Sequence, residues 1–238
     1  VSQLALDLVY RAAQGREDFM VADCNADAVA WIDRWHDWPL GRLALYGAPG
    51  SGKSHLVEVW RAESGAALLP LTALNSEGLD GVIAEGGALA LDAADAIAGD
   101  EERERALFHL INLAQERGAK LLLVGREAPA RWKVALPDLA SRLAGTASVS
   151  IAQPNEELMA ALLVKLFADR QTPIAPEALA YLLPRMERSF AMARDLVRET
   201  DRMALAERRR VTVPLARRAL ENLAGEADTS KERADGAR

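Results

Sequence analysis

The eight residues Gly47-Ala48-Pro49-Gly50-Ser51-Gly52-Lys53-Ser54 have the types and spacing of a phosphate-binding loop, G-x-x-x-x-G-K-[ST]. Glycines at both ends let the backbone curl and approach phosphate oxygens with no Cβ in the way. Successive N–H groups, and the start of a helix running through His55, then face the anion. Lys53 adds a point charge for the β- and γ-phosphates, and the Ser54 hydroxyl can ligate Mg2+. Pro49, Gly50, Ser51, Gly52, Lys53, Ser54 and His55 are therefore the expected nucleotide-binding residues, with ADP or ATP and Mg2+ as ligands. Further along, Leu89-Ala90-Leu91-Asp92 reads as a buried strand ending in an acid. Asp92 is expected beside the loop as a second oxygen for the metal. The other reading is an aspartate that caps the turn after a strand.

These groups need a sheet to hold them. Arg42 to Tyr46 reads as a short buried strand before the loop, and His55 to Trp60 as the helix after it. Ala66 to Leu69, Ala88 to Asp92, Leu121 to Val124 and Val149 to Ile151 are further short apolar runs. A helix is predicted over 101–117, with Leu107, Leu110, Ile111 and Ala114 on one face and Gly118 just past its end. Strands alternating with helices over 19–152 predict an α/β domain, a parallel sheet sandwiched by helices. From Pro154 the pattern is helical only. Asn155 can cap a helix with Glu156 and Glu157 in its first turn and Met159, Leu162, Leu163 and Leu166 inward. Pro176 opens a second, a third spans about 188–206, and a fourth starts near Thr212. Residues 153–224 thus read as a small all-helical domain, and the polar stretch 225–238 as a disordered tail. Residues 1–18 form a separate N-terminal segment, with an apolar patch from Leu4 to Val9.

Composition limits the partners. The 238 residues are 50% hydrophobic, enough for a substantial core, and carry a net charge of −6. That balance argues against direct, sequence-specific nucleic-acid binding. The single cysteine, Cys24, excludes an internal disulfide and a cysteine-based zinc site, and suits a reducing cytoplasm. No apolar run is long enough to cross a membrane, and a cytoplasmic location with no membrane partner is expected. His36, His55 and His109 are scattered without metal-ligand spacing. Trp31 and Trp35 are expected on one face of a helix against the core, although a tryptophan from Trp31, Trp35 and Trp38 could wall an adenine. Arg208-Arg209-Arg210 reads as a solvated turn between helices.

Three stretches resemble a known family. Leu136-Pro137-Asp138-Leu139-Ala140-Ser141-Arg142-Leu143 is similar to the arginine-finger segment of DnaA-related AAA+ proteins. Leu91-Asp92 through Ile97-Ala98-Gly99-Asp100-Glu101 matches the acidic-strand region of that group. Gln3-Leu4-Ala5-Leu6-Asp7-Leu8 resembles the sliding-clamp-binding motif of one branch. Over about 1–224 the chain is most similar to the Hda family of replication-initiation regulators. The resemblance implies a P-loop AAA+ module followed by a helical lid. It implies docking through Gln3, Leu4, Leu6 and Leu8 on the DNA polymerase sliding clamp. It also implies stimulated hydrolysis of DnaA-bound ATP, with Arg142 as the arginine finger supplied in trans.

The chain departs from that pattern at several positions. AAA+ enzymes place a water-positioning acid directly after the strand-end aspartate, and Ala93 stands there. Asp95 lies two residues further on and is expected to point elsewhere once the strand turns. The polar residue at the end of the fourth sheet strand is replaced by Val124-Gly125, leaving that role vacant or shifted to Arg126. The lid arginine falls on Ala191, with Arg194 one turn later as a possible nucleotide-binding substitute. These departures imply a module that holds ADP or slowly turned-over ATP and works on a partner's nucleotide. The N-terminal leucines also read as an edge strand. An autonomous ATPase such as a helicase loader, and a clamp adaptor without finger activity, stay open. Action across a homo-oligomer interface is a further expectation of the AAA+ group.

Overall fold

In the computed structural model, which describes residues 9–11, 19–75, 79–207 and 210–235, the apolar runs of the first half become one sheet. Its strands are β3 (Arg42–Tyr46), β4 (Ala67–Leu69), β5 (Ala88–Leu91), β6 (Lys120–Gly125) and β7 (Ala147–Ser150), in the order β4-β5-β6-β3-β7. Every pairing is parallel. Two shorter strands precede them, β1 (Val9–Arg11) and β2 (Phe19–Val21), paired with each other antiparallel. Parallel neighbours require crossovers, and helices supply most of them. The helix α2 (Lys53–Ser64) links β3 to β4, α3 (Glu101–Glu116) links β5 to β6 and α4 (Pro137–Ala144) links β6 to β7, while β4 reaches β5 through 3-10 turns; α1 (Ala26–Asp33) precedes β3.

Side-chain alternation sends each strand's residues to two cores. Leu89 and Leu91 of β5 and Leu121 and Leu123 of β6 join Leu107, Leu110 and Ile111 of α3 and Leu139 and Leu143 of α4. Leu43 and Leu45 of β3 and Leu122 and Val124 of β6 join Ile32 of α1 and Leu56, Val57 and Trp60 of α2. Each such side chain, fully withdrawn from water, contributes roughly 1.5–3 kcal/mol before chain entropy is counted. The five-strand sheet with helices on both faces is the fold class expected from the sequence.

The tryptophans are arranged differently from expectation. α1 ends at Asp33, so Trp31 and Trp35 do not share one helix; Trp35 lies in a separate short 3-10 turn, Trp35–Asp37. The break lets Trp35 meet Trp60 edge-on at 6.3 Å between ring centroids, while Trp38 stacks on Trp60 at 5.2 Å. Trp38 and Trp60 are buried behind the phosphate-loop helix.

The described residues fall into two units, Val1–Ala152 and Gln153–Arg238. The second contains α5 (Glu156–Asp169), α6 (Pro176–Leu182), α7 (Phe190–Glu207) and α8 (Val213–Asp235). Asn155 caps α5, its side-chain oxygen accepting the Leu158 N–H at 2.8 Å. Phe167, rather than Leu166, is the fully buried residue of the last turn of α5. α8 continues to Asp235 through part of the segment expected to be disordered. Helix-favouring residues there, Glu226, Ala227, Lys231, Glu232, Arg233 and Ala234, account for the extension. No described helix is long and apolar enough to cross a membrane.

Candidate nucleotide site and the arginine of the fourth helix

The phosphate loop leaves the end of β3 at Gly47, whose N–H donates to the Gly125 carbonyl at the end of β6, 3.3 Å away. A Cβ at Gly47 would lie 2.3 Å from the Ile151 carbonyl oxygen, so only glycine fits between these strand ends. Gly52 precedes α2 at φ 102°, a left-handed conformation that turns the chain into the 12-residue helix. No side chain caps that helix, so its first N–H groups remain available to an anion at the positive end of the dipole. Ser51 is 1% exposed, and its hydroxyl has no hydrogen-bond partner. An uncapped helix start and an orphaned buried hydroxyl suit a bound phosphate. Pro49 and Gly50 are exposed on the outside of the loop, and His55 is half-buried in the first turn of α2.

Lys53 folds back over this loop. Its ammonium donates to the carbonyls of Gly47 at 2.6 Å and Ala48 at 2.9 Å. Burial pushes its pKa down, Asp95 and then Asp92 pull it back up, and Arg126 lowers it. A phosphate in the loop would offer this ammonium an anionic partner in place of carbonyl dipoles.

Ser54 and Asp92 are the residues expected to ligate the metal. Ser54 is exposed in the first turn of α2, and Asp92 is exposed just past β5. Asp92 Oδ1 accepts the Ala93 N–H at 2.9 Å, which leaves Oδ2 for a cation. Magnesium commonly takes one or two protein oxygens and completes its shell with phosphate and water. Ser54 and Asp92 would hold it, and it would neutralise phosphate charge.

Asp95 is not where it was expected. Ala93 adopts a left-handed conformation, φ 52°, and a 3-10 turn over Ala94–Ile97 follows. The turn brings Asp95 to the end of β6, where Oδ2 accepts the Arg126 N–H at 2.9 Å. Burial lowers the Lys53 pKa and the Asp95 charge is the first to oppose it, so the carboxylate acts on the loop lysine. The only sequence signal was indirect: Gly125, a residue without a side chain where a polar one was sought.

Arg142 lies elsewhere, in the last turn of α4. Its guanidinium donates to Gln115 Oε1 at 3.4 Å, and no carboxylate among the described residues pairs with it. Arg61, Arg105, Arg188 and Arg202, by contrast, all sit in ion pairs. Both ends of α4 are fastened. At its start, buried Glu104 of α3 accepts the N–H groups of Ala135 at 2.8 Å and Leu136 at 2.9 Å, and on its other oxygen that of Gly99 at 3.1 Å. At its end, the Arg142 carbonyl accepts from the Thr146 hydroxyl at 2.8 Å and from Arg42 Nη2 at 3.4 Å. Arg42 opens β3 and Gly47 follows its other end. Five residue steps at about 3.3 Å put ~16 Å between the Arg142 backbone and the phosphate loop.

Arg194 is half-buried on α7 in the second unit, and Ala191 is exposed there. Gln3, Leu4, Leu6 and Leu8, and Arg208 and Arg209 of the basic turn, lie outside the described residues.

No protein-family model matches the chain. Solved structures do. Domain III of the Thermotoga maritima replication initiation protein DnaA superposes with a TM-score of 0.67 at 17% identity, covering 86% of this chain and 94% of that one. AMPPCP-bound DnaA from Aquifex aeolicus gives 0.62 at 16% identity, covering 79% of this chain and 64% of that one, so the chain spans less than two thirds of that protein. A RuvB mutant from Thermotoga maritima gives 0.62 at 15% identity, covering 84% and 68%. At such identities the likeness is one of fold: the chain has the fold also found in DnaA domain III and RuvB.

Proposed function

We propose that this chain is a nucleotide-holding AAA+ module that acts on a nucleotide bound by another protein. In the form implied by its resemblance to the Hda family, it docks on the replicase sliding clamp through Gln3, Leu4, Leu6 and Leu8. It then presents Arg142 to ATP-bound DnaA and speeds hydrolysis of that ATP, restraining replication initiation. Its own site holds ADP or ATP with Mg2+ through the loop from Pro49 to His55 and through Asp92, with Arg194 as a further contact. Ala93, in place of a water-positioning acid, keeps its own turnover slow.

The observation that carries this reading is the separation of Arg142 from the chain's own phosphate loop. The residue stands at the opposite end of the central strand and, among the described residues, is paired with a neutral amide. A guanidinium so placed is too far from its own nucleotide and open to an anion brought by a neighbour, where it can spread its donors over developing γ-phosphate charge. The test is single-turnover hydrolysis of labelled ATP preloaded on DnaA. Hydrolysis should speed up only with both this protein and DNA-loaded clamp present, and Arg142→Ala should abolish the gain. An unchanged rate in Arg142→Ala removes the finger. Steady ATP turnover by the purified chain alone would favour an autonomous ATPase instead.

A further inference from the structure

A leucine holds a glycine-like conformation at the foot of the central strand. β3 is entered by a 3-10 turn, Pro39–Gly41, and inside it Leu40 has φ 53° and ψ 22°. That left-handed backbone crowds any side chain and is seldom adopted by leucine. Gly41, next to it, shows the ordinary solution: its φ is 69°, and a Cβ there would lie 2.9 Å from the Ala119 carbonyl oxygen. Burial does not offset the strain at Leu40, which is 56% exposed. The turn is also fixed. The Gly41 N–H donates to the Trp38 carbonyl at 3.0 Å, Trp38 is buried, and the Lys120 ammonium donates to the His36 carbonyl at 2.5 Å. A single exposed leucine is common. One that is rigidly mounted, strained and left in water points to a use.

Leu40 and Arg142 lie at the same end of the sheet. β3 pairs with β6 from Arg42 and with β7 from Leu43, so the turn before β3 sits beside the ends of α3 and α4, which lead into those strands. Gly41 meets Ala119, just past α3, and Arg142 reaches Gln115 in the last turn of α3. Leu40 and Arg42 are two residues apart, at most about 7 Å between Cα atoms. The Arg42 side chain spans about 7 Å more and ends 3.4 Å from the Arg142 carbonyl. Leu40 is thus within ~18 Å of the Arg142 backbone. A standard interface covers about 800 Å² on each partner, a patch roughly 30 Å across, so one partner can cover both. Pro39, and Ala144 at the end of α4, are exposed as well.

We propose that Leu40 is an apolar anchor of the surface that presents Arg142, and that it seats on the ATP-loaded module whose phosphate Arg142 addresses. The proposal rests on the reading of Arg142 as a finger used in trans, and adds a contact that holds the partner in place. An arginine alone recognises any accessible phosphate. An apolar side chain at a set distance from it requires an apolar recess at the matching distance from the partner's phosphates, which restricts the proteins that can be engaged. Because the backbone already fixes Leu40, docking orders little new chain.

The experiment follows hydrolysis of labelled ATP preloaded on DnaA, with DNA-loaded clamp, as the concentration of this protein is raised. Leu40→Asn and Leu40→Met are compared with the wild-type chain. Asparagine tolerates a left-handed backbone and removes the apolar surface; methionine keeps that surface. Leu40→Asn should need about tenfold more protein for half-maximal stimulation and reach the same maximal rate. Its melting temperature should equal or exceed that of the wild type, since strain is relieved. Leu40→Met should stay within about threefold of the wild type. An unchanged half-maximal concentration in Leu40→Asn overturns the proposal. A lowered melt accompanying the loss also overturns it and makes Leu40 a structural residue, and a fall in maximal rate alone would place Leu40 in the reaction rather than in docking. Absence of any stimulation by the wild-type chain removes the finger reading, and this proposal with it; the wild-type control tells that outcome from the others.

Discussion

The Arg42 guanidinium lies beneath the last turn of α4, with Nη2 3.4 Å from the Arg142 carbonyl and Nε 2.9 Å from the Thr146 hydroxyl. Arg42 is 3% exposed, its Nη1 has no hydrogen-bond partner, and no carboxylate among the described residues neutralises it. Burial pushes its pKa down, and the nearby charge of Arg142 adds to the effect. A buried cation so poorly paired is costly. It is, however, at the C-terminal end of a helix, where positive charge is favoured, and it ties together the groups around Arg142.

Arg42→Met should therefore separate stability from action on a partner. Replacing a buried, incompletely paired charge with an apolar chain of similar length often costs little, so the unfolding free energy should change by less than ~1 kcal/mol. The last turn of α4 loses its anchor. Stimulation of a partner's ATP hydrolysis should then fall by about tenfold, equivalent to roughly 1.4 kcal/mol of misplaced transition-state contact. Thermal melting paired with the single-turnover assay measures both. Equal losses in the two would make Arg42 a structural residue only.

Glu104 is the corresponding anchor at the other end of α4. It is fully buried, and burial alone would raise its pKa, but the N–H groups of Ala135, Leu136 and Gly99 hold it lower than usual. Glu104→Gln turns one acceptor oxygen into a donor facing backbone donors, a loss of ~2–3 kcal/mol. Because the folded pKa is depressed, this stability is present above the unfolded pKa and is lost as pH falls through the folded one. Denaturant titrations of both proteins at neutral pH check the magnitude. A change below ~0.5 kcal/mol would mean the N–H groups find other acceptors.

How much of this was legible beforehand differs by residue. β3, β5 and β6 were visible because short continuous apolar runs suit strands buried on both faces of a parallel sheet, and Gly47 to Ser54 because phosphate binding restricts which residues fit. Asp95 was misjudged because its direction depends on a left-handed alanine, and nothing local distinguishes Ala93 from any other alanine. Nothing in the sequence singles out Glu104: it shares the first turn of α3 with Glu101 and Glu102, after the N-cap Asp100, where charge is ordinarily solvated. Its burial comes from the segment 135–136 folding back, a tertiary event. Arg42 read as the edge of a strand for the same reason: its partner Thr146 is 104 residues away.

The loop offers a direct test of nucleotide binding. ADP at one hundred times its dissociation constant should stabilise the folded chain by about 2.7 kcal/mol, an upward shift in melting temperature of roughly 5–10 °C for a chain of this size. Lys53→Ala should remove most of that shift while leaving the ligand-free melt within about 2 °C, since the hydrogen bonds of Lys53 among the described residues go to loop carbonyls. Differential scanning fluorimetry with and without Mg-ADP provides the measurement. An undiminished shift in Lys53→Ala would place the nucleotide elsewhere.

The second unit carries its own acid-sensitive contact. Glu199 of α7 is gripped by Arg202, at 2.8 and 2.7 Å, and accepts from Asn222 of α8 at 2.8 Å. The Arg202 hydrogen bonds lead in lowering its pKa from 4.5 to about 2; burial opposes them, and Asn222, the Arg202 charge and Arg198 assist. The folded pKa lies below the unfolded one, so the stabilisation is complete above about pH 5 and disappears as pH falls towards 2. Arg202 is largely exposed, so water screens the pair and the contribution is held to ~1 kcal/mol. Glu199→Gln should melt lower than wild type at neutral pH, and the two should converge by pH 2. Hydrogen exchange in α7 and α8 across that range should show the same convergence. Parallel acid limbs in the two proteins would show that Glu199 gains nothing from folding.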